Sequence, residues 1–197
     1  MKRTLIAALI CMCAVPAFSQ QDSLVALVIA NVKENGGQYK LQQVVSAPGS
    51  SATALYLRAV EVLSDGVGPD GQSKYNLDVS DKESGTVIYK GKIYTGFFPV
   101  LLAGYHTYAD FTLKIRCKDE KAQITLLVPQ ISSIDTNPHA RVRQGSTSLT
   151  DIIWRATNGK GAKQKRCLTV LATLQPKCAD LVDALFRSLS APTDDDF

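Results

Sequence analysis

The sequence predicts an α+β domain in which an antiparallel sheet carries helices on one face. Apolar and polar residues alternate through most of the stretch from residue 74 to residue 129, which is the period of a half-buried strand. Apolar residues at helical spacing occur before this stretch, and again near the end of the chain. One apolar and one polar sheet face is typical of an antiparallel sheet that helices cover on one side only.

The first 19 residues have the three parts of a cleavable export signal. Residues 1–4 are short and basic, residues 5–15 are apolar, and small residues stand at Ala17 and Ser19. The pattern predicts cleavage between Ser19 and Gln20, so we expect an exported protein of the periplasm or cell envelope. The apolar run is too short to remain as a membrane-spanning helix.

Two cysteines in the apolar run raise the alternative of a lipoprotein. Cys11 follows Ile10 and Cys13 follows Met12, whereas a lipid-acceptor cysteine normally follows a small residue. The sequence therefore favours cleavage without lipidation.

Composition indicates a globular domain and lacks the basic charge of a nucleic-acid-binding protein. Removing 19 of 197 residues leaves 178, and the contents of 45% hydrophobic and 20% charged residues are ordinary for a folded protein. Loss of Lys2 and Arg3 lowers the net charge from +4 to +2, so a basic nucleic-acid footprint is absent. We expect no nucleic-acid partner and, outside the cytoplasm, no nucleotide cofactor. No second apolar run reaches the length of a membrane span.

Three cysteines remain after cleavage: Cys117, Cys167 and Cys178. An oxidising compartment allows one disulfide with one free thiol, or three buried thiols. On one straight helix, Cys167 and Cys178 would be about 16 Å apart along the axis, which is beyond disulfide reach. No cluster has the spacing of a metal site, so we expect no bound metal.

The N-terminal part of the mature chain predicts two strands and a helix. Residues 24–32 are rich in Val, Leu and Ile and are interpreted as a strand, joined by a tight turn at residues 34–37 to a second strand at residues 39–45. Ser51 is a candidate N-cap for an amphipathic helix that ends at Ser64, before a glycine-rich segment at residues 66–71.

The middle of the chain predicts four more strands and one irregular segment. Strands are expected at residues 75–80 and 86–93, around a turn at residues 81–85. The glycines and the proline of residues 94–104 indicate a long loop or a distorted strand end. A long strand at residues 105–117 then precedes a last strand in which Ile124, Leu126 and Val128 face the core.

The C-terminal part predicts a loop followed by helices. Residues 130–145 are interpreted as mostly loop, and Ser148 with Asp151 fits a capping box for a short helix. The basic run at residues 160–166 is interpreted as a solvated loop. Residues 167–174 are expected to be helical, and Pro176 is expected to start or kink a final helix.

These elements divide the chain into four parts. We expect a signal peptide at 1–19, an α+β domain at 20–130, a loop with C-terminal helices packed on the same domain at 131–190, and a flexible tail at 191–197.

Four segments resemble a known family. They are Leu55-Tyr56-Leu57-Arg58-Ala59, the turn and strand from Asp81 to Ile88, Gly91, and the strand from Tyr108 to Lys118. The chain resembles, over roughly residues 39–128, an uncharacterised secreted family, the domain of unknown function numbered 4468, found in Bacteroides-like bacteria. The resemblance implies a TBP-like fold. The C-terminal helices predicted above would then form an extension of it. It implies no catalytic residues, because the family has none established. Asp119-Glu120 departs from the Asp-Gly typical of its last hairpin.

The polar face of the sheet is the candidate binding surface. His106, Tyr108, Asp110, Lys114 and Arg116 point to one side of the long strand, and Asp78 and Lys90 on neighbouring strands would join them. An envelope protein, peptide or glycan is the expected partner of such a mixed-charge surface. The plain alternative is a solvated face with cross-strand charge pairs.

Catalytic residues are poorly supported. The mature chain has only His106 and His139, no Gly-x-Ser-x-Gly motif, and a separation of about 13 Å between His106 and Asp110 if both lie on one strand. The sequence therefore favours a non-enzymatic binding or assembly module of the cell envelope. A small periplasmic hydrolase with a site built from loops is the alternative.

Overall fold

The computed structural model describes residues 17–64, 76–100, 103–135 and 144–191. Over these ranges the chain forms four helices and six strands. In chain order they are α1 (Ala17–Glu34), β1 (Tyr39–Ser46), α2 (Ala52–Ser64), β2 (Asn76–Asp81), β3 (Thr86–Val100), β4 (Ala103–Lys118), β5 (Lys121–Asp135), β6 (Gln144–Ser148), α3 (Leu149–Asn158) and α4 (Gly161–Ser190). The predicted α+β class, an antiparallel sheet with helices, is confirmed.

The six strands form one antiparallel sheet. Five of them follow the order β1-β5-β4-β3-β2, and β6 also pairs with β5. Two strands share one side of β5: residues 121–128 pair with β1, and residues 130–134 pair with β6. Pro129 lies between the two pairings. Proline has no N–H, but neither β1 nor β6 pairs with β5 at this residue, so no ladder hydrogen bond to either strand is lost. The register with β4 also shifts beside this proline, between Asp110 and Thr112.

The inward face of the sheet follows the predicted alternation. Leu113 and Ile115 on β4, and Ile124, Leu126 and Val128 on β5, are fully buried. Each buried aliphatic side chain of this kind contributes about 1.5–3 kcal/mol to stability. Sheet pairing and core packing therefore agree on the same register.

A single helix, α4, covers much of this face and contacts β1, β3, β5 and the other three helices. Of the two alternatives for Pro176, the start of a new helix is wrong, because Pro176 lies inside α4. Proline in a helix interior costs about 3 kcal/mol. Burial offsets this penalty: nine side chains of α4 are buried, among them Leu171, Leu174 and Leu185 at 0% exposure. The basic run at 160–166 is also not a loop, since α4 begins at Gly161.

Residues 24–32 are helical, so the predicted N-terminal strand is wrong. Val25, Val28 and Val32 are buried at helical spacing, and α1 packs against α4 and β1. The predicted turn instead ends this helix. Gly36 has a φ of 65°, and the Gly37 N–H donates to the Val32 carbonyl at 2.9 Å, which is a Schellman cap.

The side chain of Asn31 on α1 pairs with the backbone of the edge strand β1. Its Oδ1 accepts from the Lys40 N–H at 2.8 Å, and its Nδ2 donates to the Lys40 carbonyl at 2.8 Å. One amide thus satisfies a donor and an acceptor that an edge strand leaves without a strand partner. The contact fixes α1 against the sheet at a position that another strand would otherwise occupy.

The predicted α2 helix and its N-cap are confirmed. The Ala54 N–H donates to Ser51 Oγ at 3.1 Å, and the Ala52 N–H donates to Asp119 Oδ1 at 2.8 Å. Asp119 belongs to the β4–β5 turn, in which Glu120 has a φ of 63°. This left-handed conformation explains why Asp-Gly is typical at such a turn. The Glu120 N–H donates to the Ser50 carbonyl at 2.9 Å, which holds the turn against α2.

The described parts of two segments interpreted as irregular or loop are strand. Residues 94–100 continue β3 and residues 103–104 begin β4, with a register shift between Tyr94 and Gly96, so the alternative of a distorted strand end holds for the described residues. Residues 130–135 continue β5, and β6 begins at Gln144. Glycine and proline at these positions mark bulges and changes of pairing partner, which the sequence pattern did not distinguish from loops.

The predicted start of α3 is confirmed, because the Asp151 N–H donates to Ser148 Oγ at 3.1 Å.

Cys117, Cys167 and Cys178 are all buried free thiols, so the disulfide alternative is not realised. Burial raises the pKa of Cys117 to about 11 and that of Cys178 to about 12. Burial, with a smaller effect of the Cys178 charge, also raises the pKa of Tyr39.

Several predictions fall outside the described residues. They concern the signal sequence before residue 17, the glycine-rich segment at 66–71, the residues around His139, and the tail after residue 191. Among the helices that the structure describes, none has the length and hydropathy needed to cross a membrane.

Replacing Asn31 by alanine should destabilise the protein by about 1–3 kcal/mol, because the N–H and the carbonyl of Lys40 lose their partners in two partly buried hydrogen bonds. Urea unfolding followed by circular dichroism measures the change. Gln42→Ala is the matched control, since Gln42 is an exposed residue of the same strand, and it should change stability by less than about 0.5 kcal/mol. Equal losses in the two variants would contradict a role of Asn31 at the edge.

The free energy of unfolding should fall as pH rises above the ordinary thiol pKa of 9.0. The unfolded chain releases thiol protons there, whereas the folded chain retains them because burial raises the pKa, so the slope of stability against pH is negative. Each thiol contributes up to about 1.4 kcal/mol per pH unit. Urea unfolding under reducing conditions at several pH values should show a shallower slope for Cys178→Ala. Parallel curves would refute this source of pH dependence.

Candidate functional site

The face of the sheet opposite the helices carries all the predicted site residues. His106, Tyr108 and Asp110 are partly buried on this face, near the end of β4 that begins at Ala103. Lys114 and Arg116 lie further along the same strand, and Arg116 is six residues from Asp110, or about 20 Å. The five residues therefore share a face but do not form one site.

Three ring contacts gather around His106. The His106 ring centroid lies 5.0 Å from that of Phe97, 5.7 Å from that of Tyr94 and 6.5 Å from that of Tyr108. Tyr94 and Tyr108 are also in contact, at 5.6 Å. We call Tyr94, Phe97, His106 and Tyr108 the aromatic cluster. In the four contacting ring pairs the planes are tilted by 40–59°, between stacked and perpendicular.

A bulge in β3 brings Tyr94 and Phe97 to the same face. The two residues are three positions apart and would point to opposite faces in a regular strand. The register shift after Tyr94 inserts Thr95, whose hydroxyl donates to Thr107 Oγ1 at 3.0 Å. The Thr107 hydroxyl donates in turn to the Gly96 carbonyl at 3.1 Å, which holds the bulge in place.

The Phe97 ring lies over the backbone of Gly104. A methyl group at residue 104 would overlap two carbons of this ring. The position has no left-handed φ, so its glycine is required for space and not for backbone conformation. Phe97 is 46% exposed, which leaves part of its ring open to solvent.

A polar network lies next to the aromatic cluster. Asp110 Oδ1 accepts from the Ser132 hydroxyl at 2.8 Å, and Asp110 Oδ2 accepts from Gln130 Nε2 at 2.9 Å. Lys92 Nζ lies 3.7 Å from Asp110 Oδ1 and donates to Ser132 Oγ at 3.4 Å. We call Lys92, Asp110, Gln130 and Ser132 the polar network. It links β3, β4 and β5 across the open face.

An open groove of about 600 Å³ lies over the polar network. Its walls include Lys92, Asp110 and Gln130, together with Tyr108 from the aromatic cluster and Ile134. This volume is within the range of about 300–1,000 Å³ that ligand pockets occupy. Tyr108 belongs to both parts, so the aromatic cluster and the groove form one continuous surface.

The remaining predicted residues lie apart from this surface or at its border. Lys90 Nζ pairs with Asp78 Oδ2 at 3.0 Å, and both side chains are well exposed. A surface ion pair of this kind contributes about 0–1 kcal/mol. The alternative of a solvated face with cross-strand charge pairs therefore applies to Lys90 and Asp78. Lys114 and Arg116 lie on the part of the same face beyond the polar network.

The described residues contain no group of three or more side chains suited to hold a metal ion. His106 contacts aromatic rings, and within the described residues no hydroxyl or carboxylate lies in hydrogen-bond contact with its side chain. A smaller cavity of about 220 Å³ on the helix side of the sheet is lined in part by Cys167. Burial raises the pKa of that thiol, although the Arg155 charge partly offsets the effect, so it stays protonated at neutral pH.

Sequence reasoning missed Tyr94, Lys92, Gln130 and Ser132 as residues of the site. Tyr94 and Phe97 fall in the segment interpreted as irregular, and Gln130 and Ser132 fall in a predicted loop. One signal for Tyr94 and Phe97 was present in the sequence. Gly96 lies between these two aromatic residues, and a glycine inside a strand indicates a bulge. Nothing in the sequence pattern pairs Gln130 with Asp110.

Residues 41–131 match the family described as "Domain of unknown function (DUF4468) with TBP-like fold". The resemblance of the sequence to this family is therefore confirmed. The matched range contains the whole aromatic cluster and all of the polar network except Ser132. No curated protein sequence matches the chain significantly.

Two solved structures are similar to this chain. A DUF4468 family protein from Bacteroides ovatus is 13% identical with a TM-score of 0.53, and the match covers 80% of this chain and 90% of that one. A TBP-like protein from Parabacteroides distasonis is 16% identical with a TM-score of 0.47, over 76% and 93% of the two chains. The first match supports the TBP-like fold; identities this low carry no information on function.

Gly104→Ala should displace the Phe97 ring from His106 while leaving the polar network unchanged. Overpacking of this kind costs about 1–3 kcal/mol, less where the ring can move outward. Aromatic NMR spectra should show a shift of the His106 imidazole signals. Gly145→Ala is the control, because a methyl group there meets only Ser133 Oγ, at 3.3 Å. Unchanged His106 signals in Gly104→Ala would show that Phe97 does not pack as described.

Proposed function

We propose that this chain, which carries a DUF4468 domain over residues 41–131, is a non-enzymatic binding or assembly module of the cell envelope. The observation that supports this role is the continuous surface of the aromatic cluster and the groove on the open sheet face. Aromatic side chains beside a few convergent polar groups are typical of binding sites. The helices pack on the opposite side and leave this surface accessible.

The proposed cellular address depends on the export signal in the first 19 residues. Export would place the open face in contact with envelope proteins, peptides and glycans, and away from nucleotides and genomic DNA. The fold name does not imply DNA binding, because function depends on the site and not on the fold. The mixed charges of the face also lack the basic character of a nucleic-acid surface.

A binding role accounts for the surroundings of His106 better than a hydrolase does. General acid–base catalysis needs the histidine within hydrogen-bond reach of a reacting group or an orienting partner. In the described part of the chain, His106 packs among three aromatic rings instead. Asp110 is directed to Ser132 and Gln130, so it does not orient the imidazole. No observation on these residues favours the hydrolase alternative.

An envelope extract should yield a partner that the immobilised protein captures through the aromatic cluster. The double variant Tyr94→Ala/Tyr108→Ala should lose most of this capture, because it removes two of the four rings. Lys114→Ala/Arg116→Ala is the matched control, since both residues lie on the same face beyond the network, and it should retain capture. Quantitative mass spectrometry measures the enrichment. No enriched partner, or equal capture by both double variants, would refute the proposed surface.

A further inference from the structure

The charges around the groove are already paired with one another. Lys92 lies 3.7 Å from Asp110 Oδ1, and Lys90 lies 3.0 Å from Asp78 Oδ2. An anionic ligand would compete with the two carboxylates for these lysines, and a cationic ligand would compete with the lysines for the carboxylates. Charge complementarity therefore favours a ligand without net charge.

The backbone under the open face is engaged within the sheet. β4 is paired on both sides along most of its length, and β5 is paired with β4 on one side and with β1 and β6 on the other. Among the described residues, β3 pairs with β2 only over residues 86–90, so a peptide added as a strand beyond Lys90 would lie at the sheet edge and not over the face. Recognition over the face itself therefore uses side chains, which favours a ligand that carries many small polar groups of its own.

Several side-chain groups of the surface remain open to such a ligand. Gln130 donates its amide N–H to Asp110, and its Oε1 has no partner within the described residues. The same holds for the hydroxyl groups of Tyr94 and Tyr108. Lys92 has three N–H donors and directs them toward only two oxygens, Ser132 Oγ and Asp110 Oδ1. The surface thus presents both donors and acceptors beside aromatic rings.

These features match one ligand class. A saccharide has apolar C–H faces that pack on aromatic rings, and hydroxyl groups around its rim that both donate and accept hydrogen bonds. We infer that the aromatic cluster and the polar network together bind a neutral oligosaccharide, with one sugar ring packed on Tyr108 and its hydroxyl groups directed to Gln130 and Lys92. This inference depends on the proposed function, because it names the ligand class of the same surface.

The experiment uses the mature full-length protein and a glycan array. The array carries neutral hexasaccharides of glucose, mannose, xylose and N-acetylglucosamine beside hexagalacturonate and sulfated hexasaccharides as anionic controls. We expect at least one neutral hexasaccharide to bind and the anionic ones not to compete with it. No neutral binding, or preferred binding of the anionic hexasaccharides, overturns the inference.

Variants locate the binding on this surface by isothermal titration calorimetry with the neutral hexasaccharide found on the array. Tyr108→Ala should weaken binding about tenfold or more, which corresponds to at least about 1.4 kcal/mol. Gln130→Ala should weaken it severalfold, and Lys114→Ala should leave it unchanged. Tyr108→Phe serves if Tyr108→Ala does not fold: it keeps the ring and should retain most of the affinity. Equal affinity in wild type, Tyr108→Ala and Gln130→Ala overturns the inference.

The envelope capture experiment separates this inference from the proposed function. If capture depends on Tyr94 and Tyr108 while the array shows no neutral binding, the surface binds a protein or peptide and only the saccharide inference fails. If neither experiment shows dependence on these residues, both proposals fail.

Discussion

The structure depends on burying one face of the antiparallel sheet under the thirty-residue helix α4. This helix contacts three strands and the other three helices, and its buried leucines offset the penalty of Pro176 inside it. Because this single helix organises the helical layer, the remaining helices pack around it on the same side. The helices leave the opposite face uncovered, and the aromatic cluster and polar network lie there.

The sequence predicted the elements whose apolar period is clear. The strands β4 and β5, the helix α2 with its Ser51 cap and the start of α3 at Ser148 all follow local rules that the structure confirms. The predicted strand at residues 24–32 failed for a physical reason. A short run rich in Val, Leu and Ile fits either a buried strand or a helix. Here the segment is helical and packs against α4. In place of a neighbouring strand, the Asn31 side chain of this helix makes two hydrogen bonds to the backbone of β1 at Lys40.

The candidate site was predictable only in part. Alternation on one strand placed His106, Tyr108 and Asp110 on a common face, because the period of two needs no knowledge of neighbouring strands. It could not place Tyr94 and Phe97 there, since their shared face depends on the bulge between them. It also could not pair Asp110 with Gln130, because that contact depends on the register of β5 beyond Pro129.

The central claim is that binding occurs at the aromatic end of the open face, and NMR shift mapping tests it most directly. Isotope-labelled protein would be titrated with solubilised envelope material, and the aromatic and backbone signals would be followed. The account predicts shifts confined to the aromatic cluster and the polar network, with the signals of Lys114, Arg116 and α4 unchanged. Shifts at the far end of the sheet or on the helices, with the aromatic cluster unaffected, would contradict it.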